Sequence, residues 1–125
     1  MSEETAILIT TARIGDVLPT EFLGLDVTQK SGIKTLAPPW WIIRDYKSGK
    51  MPWAEYAGIY HQLMRRSQAE HFDVWDSLVE AGAAGKVLCL QCYCRRGAHC
   101  HRHLLAQMIK EYAMAAGYEA RIIEE

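Results

Sequence analysis

A chain of 125 residues, half of them hydrophobic, suffices for one small domain spanning residues 1–125 with its own core. No apolar run reaches the roughly 18 residues of a membrane span, and a net charge of −1 speaks against a generally basic nucleic-acid binder. Glu3 and Glu4 stand where a secretory signal carries basic residues, so a cytoplasmic protein with reduced cysteines is expected.

In chain order, "AILITTA" (Ala6–Ala12) is short, apolar and β-branched, and predicts a first strand. Gly15, Asp16 and Pro19 break the next stretch into a loop. "FLGLDVT" (Phe22–Thr28) predicts a second strand. Pro38 and Pro39 force extended backbone, and "WWIIRDYKSG" then predicts one or two helical turns ending near Gly49. From Pro52 the period becomes helical, with Tyr56, Ile59, Tyr60 and Leu63 on one stripe. Phe72, Trp75, Leu78 and Val79 continue it. The polar stretch Arg65–Gln68 predicts a break between two helices, and Gly82 and Gly85 end the second. "KVLCLQCYC" (Lys86–Cys94) is nearly continuous apolar sequence, as in a strand buried on both faces of a parallel sheet. A turn "RRGAH" follows, then a helix with Leu104, Leu105, Met108, Ile109 and Tyr112 inward, stopped by Gly117. "YEARII" predicts a last short strand. This order predicts an α/β domain, Rossmann-like, with a mostly parallel sheet of about four strands flanked by helices.

The segment "CYCRRGAHCHRH", residues 92–103, carries the chemistry. Between Ala81 and Lys110 there is no acid, against Lys86, Arg95, Arg96, Arg102 and Lys110. That window is +5 before histidines, and the rest of the chain is −6. A local positive field suits an anionic ligand. The helix beginning near Cys100 offers free N–H groups at the carboxyl end of a strand, where open α/β sheets bind ligands.

Three readings of the segment compete. In the first, Cys100 is a thiol favoured as thiolate by the helix terminus and nearby cations. It then alkylates ahead of Cys92. In the second, the cysteines and histidines bind zinc. Cys92 and Cys94 are expected on opposite faces of a strand, and no second CxxC or HxxxH pair completes a structural site, so no metal ligand and no cofactor is expected. In the third, the cysteines are small core residues, which suits Cys89 best.

"LQCYCRRGAHCHRHLLA" resembles the signature of the domain of unknown function 488 family, in which a strand ends in cysteine and Cys-His-Arg opens a helix. On that match Cys92, Cys100, His101 and Arg102 are the signature positions. The "CYC" is also similar to the related domain of unknown function 4326 family, although Arg102 stands where that pattern usually has glycine. Cys94 and His99 depart from the first family's usual residues. Upstream, "ILITTARIGDVLP", "LAPPWWII" and "WAEYAGIYHQL" resemble the same family's opening strand, Leu-Ala-Pro segment and Tyr-x-x-x-Tyr helix. The resemblance implies an α/β fold and names no reaction.

The candidate site therefore has Cys100 as nucleophile or Asp26 as base, with His101 beside them and Arg102 holding negative charge. Thr11, Arg13, Tyr56, Tyr60 and Cys92 are candidates for its wall. Either Trp40 or Trp41 is left exposed for stacking on a base, and Trp53 and Trp75 are expected in the core. The expected partner is a small phosphate-bearing molecule or nucleotide, with a non-catalytic nucleic-acid or protein-binding module, or a zinc-stabilised domain, as alternatives. On this reading Arg102→Ala costs ligand affinity and leaves the fold intact. Composition is silent on oligomeric state.

Overall fold

The computed structural model describes residues 6–95 and 97–123. Glu3, Glu4 and Arg96, which entered the charge argument, lie outside the described residues. Four strands run β1 (Ile7–Arg13), β2 (Phe22–Asp26), β3 (Val87–Cys92) and β4 (Ala120–Ile122). They form one sheet in the order β2-β3-β1-β4, and every pairing is parallel. A 3-10 turn (Lys34–Leu36) and the helices α1 (Trp40–Lys47), α2 (Trp53–Glu70) and α3 (Phe72–Ala83) connect β2 to β3. Helix α4 (His101–Ala115) connects β3 to β4. This is a small single α/β domain of Rossmann-like type. Among the described residues, no helix is long and apolar enough to cross a membrane.

The two-residue period of the strands explains the core. Ile7 and Ile9 of β1 and Leu88 and Leu90 of β3 alternate onto one face and are fully buried with Trp75, Leu105 and Ile109 of the helices. Gly82 lets α3 lie directly on β1. A Cβ there would stand 2.6 Å from Ile7 Cγ2, so Gly82 is a packing residue inside the helix and not its end. Gly85, at φ +107°, makes the turn that follows.

The break between α2 and α3 falls at His71 (φ −130°, ψ 45°), later than the polar stretch Arg65–Gln68 predicts. Ser67 is buried because its hydroxyl donates to the Thr35 carbonyl at 2.8 Å and accepts from Trp75 Nε1 at 3.0 Å. A polar side chain with two internal partners loses nothing by burial, so it does not interrupt a helix.

Register sets the stage for the site. Arg13 pairs with Cys92, and Asp26 pairs with Gln91. The three strands thus finish together, and their carboxyl ends form one edge, the position at which open α/β sheets bind ligands.

Candidate functional site

Strand β3 ends at Cys92, and the backbone bends through Tyr93 and Cys94. A turn follows, closed by the Ala98 N–H donating to the Arg95 carbonyl at 3.1 Å, with Gly97 at φ +83°. Cys100 then caps α4 in extended conformation. This path folds the helix start back over the strand end. The Sγ atoms of Cys92, Cys94 and Cys100 all lie within 4.8 Å of one another, with Cys92 and Cys94 3.7 Å apart. The expected placement of Cys92 and Cys94 on opposite faces is therefore wrong. Residues two apart share a face in a strand, and the strand stops before Cys94. Cys89, fully buried within β3, is the core cysteine the sequence suggests.

Two residues of the first turn of α4 fix the cluster. His101 Nε2 lies 2.7 Å from the Val27 carbonyl, which only accepts, so Nε2 carries the proton. Nδ1 is then the acceptor, 3.8 Å from Cys100 Sγ. Burial lowers the His101 pKa and keeps the ring neutral. Arg102 corrects an expectation. It is fully buried, and its Nη1 and Nη2 donate to the carbonyls of Cys94 at 3.0 Å and Arg95 at 3.3 Å. The guanidinium holds the turn together and does not face an open anion pocket.

The thiols share their protons. Hydrogen bonds from Cys100 and then Cys94 lower the Cys92 pKa far below that of a free thiol. The same bond to Cys92 raises Cys100. Within the trio these bonds favour negative charge on Cys92 over Cys100, whereas the sequence points to Cys100; the two thiols are buried alike, 6% and 3% exposed.

The trio opens into a cavity of about 270 Å³. Cys92, Cys94, Cys100 and His101 form its floor. Trp40 and Tyr46 of α1, Trp53 and Tyr56 of α2, and Tyr93 and His99 form aromatic walls. Trp53 stacks on Tyr56 with ring centres 4.9 Å apart and meets His99 at 4.7 Å. Trp53 thus packs against the core, as expected, and also lines the cavity, whereas Trp75 is fully buried core. Trp40 and Trp41 are both substantially exposed, and Trp40 is the one that reaches the cavity. A wider depression of about 530 Å³ between α2 and α4 shares Trp53, His99 and Cys100 with it, but only one of the three thiols. The chemistry therefore sits in the smaller cavity.

Lys30 and Lys47 line the cavity, and the charge of the buried Arg102 acts on Cys94 and His101 from beneath it. Lys30 Nζ stands 5.6 Å from the centre of the Tyr93 ring. Of the window residues, Lys86 lies at the opposite end of β3 and Arg102 is buried.

The other predicted residues divide. Tyr56 is buried and lines the cavity; burial, followed by the charge of the nearby thiols, raises its pKa. Tyr60 does not line it: the ring is fully buried and the hydroxyl donates to the Leu36 carbonyl at 2.7 Å. Asp26 organises a turn. Its Oδ1 accepts from the Thr28 N–H at 2.9 Å and hydroxyl at 2.7 Å, and its Oδ2 accepts from Ser31 at 2.5 Å. Partial burial opposes ionisation, but these donors outweigh it and lower the pKa, the reverse of what a general base at neutral pH needs. Arg13 reaches the site only indirectly, through Nε to the Tyr93 carbonyl at 3.3 Å. Thr11 lines a separate depression with Thr10, Val17 and Phe22. Tyr56 is a wall residue as predicted and Trp40 is exposed at the cavity as the stacking reading allows; Cys94, Tyr46, Trp53 and Tyr93 are the site residues that sequence reasoning did not assign to it. The "CYC" spacing and the clustering of Trp40, Tyr46 and Trp53 were the available signals.

Neither a curated protein nor a solved structure matches the chain. The family model DUF488-N3a, described as the active DUF488-N3 subclade, matches residues 2–113, which include the whole thiol cluster and both aromatic helices. The chain belongs to the DUF488 family.

Proposed function

We propose that this protein binds a small ring-bearing anion, a nucleotide or related phosphate-bearing metabolite, in the three-thiol cavity and acts on it through Cys92. The observation that carries the reading is the convergence of Cys92, Cys94 and Cys100 on an aromatic-walled cavity at the carboxyl edge of a parallel sheet. Aromatic faces such as those of Trp40 and Trp53 stack on flat rings. Lys30 and Lys47 supply the positive field for a phosphate. A volume of about 270 Å³ is near the lower end of the roughly 300–1,000 Å³ of small-molecule sites, which favours a single metabolite over a nucleic-acid strand.

In this reading Cys92 Sγ forms a bond to an electrophilic carbon of the ligand. The leaving group departs with the bonding pair and takes the Cys100 proton. Water then attacks the carbon bound to Cys92 Sγ, its oxygen bonding to that carbon and one proton returning to Cys100, and the C–S bond breaks. Cys92 recovers its thiolate. His101 acts as a positioning residue, its Nε2 bond to the Val27 carbonyl fixing the start of α4 beside Cys100. A cytoplasmic, reducing environment belongs to the same reading, because the four cysteines must stay as free thiols.

The test is a thermal-shift screen of the reduced protein against nucleoside phosphates, sugar phosphates and short oligonucleotides. A ligand that binds only the native state raises Tm. The reading expects a rise with one phosphate class that is lost in Lys30→Ala. No rise across the panel, or a rise with oligonucleotides alone, contradicts it.

A further inference from the structure

The thiol chemistry above uses Cys92 and Cys100 and gives Cys94 no necessary part. Yet Cys94 is placed as deliberately as the other two, because its own backbone carbonyl is held by the buried Arg102 at 3.0 Å. We infer that Cys92, Cys94 and Cys100 together form a binding site for one thiophilic metal ion, with three protein sulfurs and a fourth position open to the cavity.

The distances carry the inference. A zinc–sulfur bond of about 2.3 Å places the sulfurs of a tetrahedral ion about 3.8 Å apart. Cys92 Sγ and Cys94 Sγ are 3.7 Å apart, and all three sulfurs fall within 4.8 Å of one another. Small side-chain rotations close the remaining gap. Thiolates select soft and borderline ions, zinc, cadmium and copper(I), over hard ones. Among the described residues this cluster of His, Cys, Asp and Glu contains only three members, all sulfur. Three protein ligands with an open fourth position distinguish a reactive or exchangeable metal site from a closed structural one. His101 supports the arrangement from outside: its Nε2 is tied to the Val27 carbonyl, which fixes the start of α4 and with it Cys100.

The inference does not rest on the nucleotide reading. An ion on the three sulfurs occupies Cys92, so metal loading and Cys92 alkylation exclude one another.

The experiment titrates cadmium(II), then zinc(II), into the reduced, chelator-stripped full chain. The expected result is one cadmium per chain, read by near-ultraviolet sulfur-to-cadmium absorption, with Cys92, Cys94 and Cys100 each alkylated more slowly than in the metal-free chain. Cys94→Ser should weaken binding by more than the roughly 10- to 100-fold that loss of an outer-shell partner costs. Cys89→Ala should retain it. Absence of the absorption band, metal-dependent protection of two or fewer of Cys92, Cys94 and Cys100, or undiminished binding in Cys94→Ser overturns the inference. The protection count is read on the wild type, so it decides even if Cys94→Ser fails to fold. In the chelator-stripped wild type, a nucleotide-induced Tm rise without a cadmium band overturns this inference alone, and a cadmium band without any nucleotide-induced rise overturns the proposed function alone.

Discussion

His101 donates through Nε2 to the carbonyl of Val27 at 2.7 Å, tying the start of α4 to the chain just beyond β2. One hydrogen bond thereby fixes the tautomer, the ring orientation and the acceptor that faces Cys100. It also predicts a pH dependence of stability. Burial holds the His101 pKa below its ordinary value of 6.5, so below that pH the unfolded chain binds a proton that the native ring does not. The contribution of the neutral ring is fully present above about pH 6.5 and is lost progressively as pH falls beneath it. Urea denaturation of the wild type should show this loss. His101→Gln, which keeps a donor for Val27 but does not titrate, should flatten that part of the profile. Parallel profiles for the two proteins would refute the assignment.

Arg102 behaves as a structural residue. The sequence argued for an open guanidinium whose removal leaves the fold intact. In the fold it is fully buried and donates to two carbonyls of the site turn. Hydrogen bonds from a charged group contribute about 1.5–3 kcal/mol each, so Arg102→Ala should destabilise the protein by roughly 3 kcal/mol or more. Denaturant unfolding measures this directly. A change below about 1 kcal/mol would contradict the role.

Tyr56 and Tyr60, one helical turn apart, should respond differently to loss of the hydroxyl. Tyr60→Phe leaves the Leu36 carbonyl without its 2.7 Å donor in a buried setting and should cost about 1–3 kcal/mol of stability. Tyr56→Phe should have a smaller effect on stability and change ligand affinity instead, because Tyr56 lines the cavity. The comparison is made by urea denaturation of both variants alongside thermal shifts with the ligand class found for the wild type. Equal stability losses would remove the distinction.

The outline of the fold was legible because its signals are local. The apolar run around "KVLCLQC", the helical stripe after Cys100 and the punctuating Gly49, Gly85 and Gly117 each follow from period or backbone freedom. The site was half legible. Cys100 and His101 at a helix start beside the end of β3 follow from chain order alone. The burial of Arg102 had a signal that charge obscured: it stands three, four and seven residues before Leu105, Ala106 and Ile109, on the inward stripe of α4. The aromatic walls were legible only at Tyr56 and in the Trp40–Trp41 pair; Tyr46, Trp53 and Tyr93 join them through tertiary packing. The contribution of Lys30 and Lys47 was not legible, because both are far from the motif in sequence and reach the cavity through the fold.

The central claim is that Cys92 is the reactive thiol of the cavity. It is tested most directly by timed alkylation of the reduced, metal-free native protein with iodoacetamide near neutral pH, mapped by mass spectrometry. The account predicts labelling at Cys92 first, ahead of the more exposed Cys94 and of Cys100, because the thiolate is the nucleophile. Equal, slow labelling of all four cysteines, or labelling led by Cys94 according to exposure alone, would contradict it.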